Sequence, residues 1–125
     1  MSSKKDKSNN LDNYFMSIAM NLASERIGLT GLNPSVGCVI VKNNKIISFG
    51  QTGFQGRPHA ETVAISKCKK NELKDSSIYI TMEPCTHYGK TPPCTNQIIK
   101  SKFKRVIYSI NDIDKRTSNN CLLYT

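Results

Sequence analysis

Apolar side chains recur at helical spacing near the start of the chain and then gather into short runs. The helical set predicts an amphipathic helix that begins at Leu11 and ends near Ile27, with Gly28 as its stop. The apolar, β-branched run 36–41 predicts a buried strand. Asn43 and Asn44 are suited to the positive φ angles of a two-residue turn, so the segment 46–49 is expected to return antiparallel.

The second half of the chain repeats the alternation of helix and strand. The pattern predicts a helix over 59–69, a strand over 77–81, a helix that opens at Pro92 and Pro93, and a strand over 105–110. The order is therefore α-β-β-α-β-α-β. Strands that alternate with helices favour an α/β fold with a mixed central sheet and helices on both faces.

Length and polarity divide the chain into three parts. With 125 residues it has room for one domain, expected over 11–112. Residues 1–10 are expected to form a disordered basic leader, and the polar residues 113–125 a disordered or truncated tail. An odd count of five cysteines and a lysine-rich start without an apolar signal segment indicate a reducing, cytoplasmic location. No apolar run reaches the roughly 20 residues of a membrane span.

The net charge of +9 narrows the choice of partners. The lysines are scattered, with no arginine-rich stripe and no interleaved aromatic residues, which argues against a nucleic-acid partner. A phosphorylated small molecule explains a locally positive pocket more simply.

The candidate chemistry lies in His59-Ala60-Glu61, followed by Pro84-Cys85 and Pro93-Cys94. One imidazole and two thiolates are the ligands of a zinc site whose fourth position stays open for water. A carboxylate two residues after the histidine is the acid and base that hydrolytic deamination of a ring carbon needs. A purely structural zinc site more often recruits a fourth protein ligand.

The remaining cysteines do not add to this set. Cys38 and Cys68 are interpreted as small buried hydrophobic residues, and Cys121 is left without a role.

Three blocks of sequence resemble the deaminase domain of the bacterial riboflavin-biosynthesis deaminase/reductase. They are residues 33–39 (NPSVGCV), residues 59–61 (HAE) and residues 81–94 (TMEPCTHYGKTPPC). The last block is the most specific, because eight residues separate its two cysteines, whereas cytidine and tRNA-adenosine deaminases usually have two. The resemblance covers residues 11–112.

The resemblance implies roles for individual residues. The implied zinc ligands are His59, Cys85 and Cys94. The implied proton carrier is Glu61. The implied substrate contacts are Asn33, His87, Lys90 and Thr52, the last of which stands where the family commonly has a histidine.

The resemblance also implies a fold, a substrate and partners. The implied fold is the cytidine-deaminase-like three-layer α-β-α domain with a mixed central sheet, here without its last helix and strand. The implied substrate is the diaminohydroxy-pyrimidine ribosyl phosphate of riboflavin biosynthesis, which releases ammonia. An uncovered last strand favours a homo-oligomer or marginal stability, and the absence of a reductase segment raises the prospect of a separate reductase partner.

Two other functions remain open on the sequence. One is a deaminase of another nucleoside, base or tRNA, and the other is an inactive, zinc-stabilised truncated domain. Simpler roles also remain for the substrate contacts: Asn33 precedes a proline and is suited to a turn, Lys90 to a solvated surface, and His87 to ordering of its own segment.

Overall fold

The computed structural model of the protein describes residues 4–81, 94–109 and 121–124. The helices are α1 (Lys4–Ser24), α2 (Ala60–Ser66), α3 (Lys70–Leu73) and α4 (Cys94–Ser101), with a 3₁₀ turn at Phe54–Gly56. The strands are β1 (Gly37–Lys42), β2 (Lys45–Gln51), β3 (Ser77–Ile80), β4 (Arg105–Ser109) and β5 (Cys121–Tyr124).

The described strands form one mixed sheet in the order β2-β1-β3-β4-β5. β3 and β4 are parallel, and the other neighbouring pairs are antiparallel. The parallel pair is connected through α4, as a parallel pair requires a crossover. This arrangement confirms the predicted α/β fold with a mixed sheet.

Each face of the sheet has its own apolar core, so the domain has three layers. On one face, α1 packs through Phe15, Met16 and Ala19 against side chains of the three central strands, among them Val39 and Tyr79. On the other face, the helices that follow β2 cover a second core; its buried members are Cys38, Ile40, Ala60, Ala64, Leu73, Ile78, Ile80, Ile98 and Tyr108. No helix within the described ranges is long and apolar enough to cross a membrane.

An ion pair and a hydrogen bond attach α1 to the sheet. Asp12 Oδ2 lies 2.6 Å from Nη2 of Arg105 on β4, and the Tyr79 hydroxyl on β3 donates to Asp12 Oδ1 at 2.6 Å. Burial is the larger cause of the raised pKa of Tyr79, and the hydrogen bond to Asp12 raises this pKa further. These contacts connect the first helix to two central strands.

The predicted hairpin turn is confirmed. Asn43 and Asn44 have φ angles of 53° and 63°, and Lys42 pairs with Lys45 on either side of them. Both residues therefore adopt the left-handed conformation that a tight turn between right-twisted strands requires.

The helices differ from the predicted ranges at two places. α1 begins at Lys4, inside the segment that was expected to be a disordered leader. The helix predicted over 59–69 ends earlier, because α2 ends at Ser66. A separate helix, α3, begins at Lys70, after Lys69, whose backbone is extended and whose N–H donates to Glu72 at 2.8 Å. This contact begins a new helix, which the apolar spacing alone does not reveal.

A fifth strand corrects the expectation that the edge of β4 is uncovered. β5 pairs antiparallel with β4, from Ser109 opposite Cys121 to Val106 opposite Tyr124. The edge of β4 is therefore paired within the chain, and the homo-oligomer remains a prediction.

Candidate active site

The beginning of α2 is held tightly against β2. A Cβ atom at Gly50 would collide with the Ala60 carbonyl oxygen and lie 2.9 Å from the Ala64 nitrogen. Ser48 on the same strand donates to the Ala64 carbonyl oxygen at 2.7 Å. The absence of a side chain at Gly50 thus allows the first turn of α2 to lie directly on the strand.

This packing determines where His59 and Glu61 lie. His59 is the N-cap residue of α2, and its side chain makes no capping hydrogen bond. Glu61 lies in the first turn and is 5 % exposed. Among the residues whose side chains are described, it is the single charged side chain that is buried. A carboxyl group buried at this position needs polar partners or has a chemical role.

The first turn of α4 lies beside the first turn of α2. Thr62 Oγ1 and Gln97 Oε1 are hydrogen-bonded at 3.1 Å. Thr62 comes three residues after His59, and Gln97 comes three residues after Cys94, which is the first residue of α4. The contact brings together the helix starts that carry two of the three predicted zinc ligands.

The other predicted contacts near the motif lie outside the described residues. These are Cys85, His87 and Lys90. The backbone of Cys94 is described as the first residue of α4. Of the predicted zinc ligands, His59 is therefore the one whose side chain is described. Within the described side chains, no group of three histidine, cysteine, aspartate or glutamate residues surrounds a common point.

Asn33 is fixed between two loops. Its Nδ2 donates to the Gly56 carbonyl oxygen at 3.0 Å. The backbone carbonyl oxygen of Asn33 accepts a hydrogen bond from Thr30 Oγ1 at 2.6 Å. The sequence analysis did not single out Thr30 or Gly56. The sequence shows a glycine three residues before His59, but the contact of Gly56 with Asn33 joins two loops that are far apart along the chain.

Thr52, which the family resemblance implies as a substrate contact, is buried. It is 2 % exposed, and its hydroxyl accepts a hydrogen bond from the Val36 N–H at 2.8 Å. Its own N–H donates to the Val36 carbonyl oxygen at 3.0 Å. Thr52 therefore joins the end of β2 to the segment that follows Asn33.

The polar cavity of about 480 Å³ in the described structure lies at the opposite end of the sheet. Asp12, Lys42, Tyr79 and Arg105 are among its lining residues. Asp12 is already paired with Arg105, and Lys42 Nζ donates to the Asn71 carbonyl oxygen. Because these charged groups are bonded within the protein, this cavity is not the candidate active site.

The fold described above is that of a class of deaminases. Residues 9–110 match the family described as "Cytidine and deoxycytidylate deaminase zinc-binding region". The match extends over most of the chain, and the chain belongs to this family.

Similar proteins narrow the relationship within the family. The chain is 44 % identical over 102 residues to the riboflavin biosynthesis protein RibD of Aquifex aeolicus, which covers 82 % of the chain and 28 % of the relative. It is 42 % identical over 113 residues to the diaminohydroxyphosphoribosylamino-pyrimidine deaminase of Buchnera aphidicola from Schizaphis graminum, covering 90 % of the chain and 76 % of the relative.

A solved structure supports the same relationship. It is a diaminohydroxyphosphoribosylaminopyrimidine deaminase/5-amino-6-(5-phosphoribosylamino)uracil reductase from Thermotoga maritima, with a TM-score of 0.77 and 40 % identity. The match covers 84 % of this chain and 31 % of that protein. The chain thus spans about a third or less of this protein and of the Aquifex relative, and most of the Buchnera one.

Proposed function

We propose that this chain catalyses the hydrolytic deamination of the diaminohydroxy-pyrimidine ribosyl phosphate of riboflavin biosynthesis. The observation that carries the proposal is the buried carboxylate of Glu61, two residues after His59 and beside the start of α4. The Buchnera relative, named as a deaminase of this pyrimidine, supports the choice of substrate because the chain covers 76 % of it.

The chemistry of the donor set fits zinc. An imidazole from His59 and thiolates from Cys85 and Cys94 are three of the ligands that tetrahedral zinc prefers. The hydrogen bond between Thr62 and Gln97 supports this set, because it holds the helix starts of His59 and Cys94 side by side.

When bound, zinc would supply a Lewis acid that makes water acidic near neutral pH. The chain's part in the reaction is proton transfer by Glu61. Its carboxylate accepts a proton from the attacking water and delivers it to the ring nitrogen. It then accepts a second proton from the new hydroxyl on the ring carbon and transfers it to the departing amine, so that the carbon–nitrogen bond breaks, a ring carbonyl forms and ammonia leaves.

The substrate contacts keep the roles that the family resemblance implies. We assign the ribosyl or ring edge to Asn33, and the phosphate and pocket wall to Lys90 and His87. Thr52, by contrast, supports the segment that follows Asn33. A separate reductase would act on the product, since the Thermotoga protein is named for both activities.

The test compares Glu61→Gln with the wild type for ammonia release from the pyrimidine phosphate, with zinc measured on the same samples. Glu61→Gln keeps the shape of the side chain and removes its basicity, so turnover should fall by about 10²–10⁴-fold with zinc retained. Glu72→Gln is the matched control, because Glu72 is an exposed carboxylate in the first turn of α3. Its activity should equal that of the wild type.

Each outcome separates the open functions. Turnover of Glu61→Gln near the wild-type rate, with zinc present, would refute the role of Glu61. Ammonia release from cytidine, guanine, adenosine or tRNA, but not from the pyrimidine phosphate, would assign a different deaminase. One zinc per chain with no turnover on any of these substrates would favour the inactive, zinc-stabilised domain.

A further inference from the structure

Asn33 occupies a junction that the two loops build from backbone hydrogen bonds. The first loop closes on itself, because the Asn33 N–H donates to the Thr30 carbonyl oxygen at 3.2 Å. The second loop is attached to the first, because the Gln55 N–H donates to the Leu29 carbonyl oxygen at 3.0 Å. The position of Asn33 relative to Gly56 is therefore fixed by the backbones of both loops.

The side-chain amide of Asn33 has one direction in this junction. The Gly56 carbonyl oxygen can only accept a hydrogen bond, so the group that faces it at 3.0 Å must be Nδ2. The carbonyl oxygen Oδ1 of the same amide then points away from the Gly56 carbonyl oxygen. An asparagine that is free to rotate would offer a substrate either a donor or an acceptor.

We propose that Gly56 is a positioning residue, which holds the Asn33 amide so that its Oδ1 faces the substrate as a hydrogen-bond acceptor. This inference rests on the proposed function. It specifies the chemistry that Asn33 recognises: a donor on the substrate, such as a ribose hydroxyl or a ring-bound N–H. A ligand that presents only an acceptor at that point would leave two oxygens facing each other, and it would be rejected.

Glycine is required at position 56 by its contacts as well as by its backbone. A Cβ atom there would lie 2.5 Å from Asn33 Nδ2 and 2.7 Å from the Thr30 carbonyl oxygen. The φ angle of +92° is also one that other residues rarely adopt. Any side chain at this position would push the Asn33 amide away from the carbonyl that orients it.

Gly28 provides a matched control. Its φ angle is +82°, close to that of Gly56, but nothing lies within 4 Å of a Cβ atom built on it. Gly28→Ala therefore introduces the same kind of backbone strain without touching Asn33. A difference between the two variants reports the contact with Asn33 and not the strain.

The experiment measures KM and kcat for ammonia release in the wild type, Gly56→Ala and Gly28→Ala. Gly56→Ala should raise KM by about tenfold with a smaller change in kcat, because one oriented hydrogen bond to the substrate is lost. Gly28→Ala should keep the wild-type KM. In an Asn33→Ala background, Gly56→Ala should raise KM no further, because it acts through Asn33.

A second measurement needs no variant and no turnover. In the folded wild type, NMR should detect a coupling across the hydrogen bond between Nδ2 of Asn33 and the Gly56 carbonyl carbon, with slow exchange of that amide. Absence of the coupling, or equal KM values for the two glycine variants, would overturn the positioning role. A wild type that releases no ammonia from the pyrimidine phosphate would refute the proposed function, and the role in recognition with it.

Discussion

Replacement of Thr52 by valine distinguishes the buried position of this residue from the substrate contact that its sequence suggests. The hydroxyl of Thr52 is inside the protein, where it accepts the Val36 N–H at 2.8 Å. It also lies 3.4 Å from the Pro34 carbonyl oxygen. Valine has nearly the same shape as threonine, so Thr52→Val removes these hydrogen bonds without leaving a cavity.

The expected loss of folding free energy follows from the Val36 N–H, which loses its acceptor in Thr52→Val. A buried N–H without an acceptor destabilises the folded state by about 1–3 kcal/mol. With a urea m-value of about 2 kcal/mol/M, a loss of about 2 kcal/mol lowers the unfolding midpoint by about 1 M. Thr52→Ser keeps the hydroxyl and loses one methyl group, for a cost of about 1 kcal/mol.

The assay combines urea unfolding with the KM of the deamination. Thr81 serves as a parallel case, because it is fully buried and its hydroxyl accepts the Gly37 N–H at 3.1 Å. Thr81→Val should therefore lower the midpoint by a similar amount. If Thr52→Val raises KM by about tenfold with an unchanged urea midpoint, the hydroxyl contacts the substrate and the structural reasoning is wrong.

Two further predictions concern pH and packing. Burial and the hydrogen bond to Asp12 raise the pKa of Tyr79, so the folded state favours the protonated phenol. The protonated phenol therefore stabilises the folded state fully below the ordinary tyrosine pKa of about 10, and this stabilisation is lost as the pH rises above it. The unfolding free energy should fall more steeply above pH 10 in the wild type than in Tyr79→Phe, and parallel curves in urea titrations at pH 9 to 11 would contradict this. Gly50→Ala should destabilise the domain by about 1–3 kcal/mol and reduce turnover, because the new methyl group collides with the start of α2. A Gly50→Ala unfolding midpoint equal to that of the wild type would argue against the close approach of β2 and α2.

Local patterns predicted much of the architecture. The apolar run of β1, the paired asparagines of the turn and the apolar spacing of the helices are properties of neighbouring residues, and the structure confirms these elements. The separation of His59 from Glu61 is also local. The spacing puts both residues at the start of α2, one as the N-cap and the other in the first turn.

Other features depend on partners that are distant along the chain. β5 has four residues and becomes a strand through its pairing with β4, since a segment this short carries little signal of its own. The break between α2 and α3 depends on the extended backbone of Lys69. Neither feature follows from the periodicity of apolar residues.

The sequence by itself determined which chemical groups this protein has and the order of the elements that carry them, because residue type and short-range spacing are sufficient for both. The tertiary structure decided what each group faces. It buried the Thr52 hydroxyl against Val36, turned the Asn33 amide toward Gly56 and joined the starts of α2 and α4 through Thr62 and Gln97. The physical reason is that a hydrogen bond depends on distance and direction in space, which residues far apart in sequence acquire only when the chain has folded.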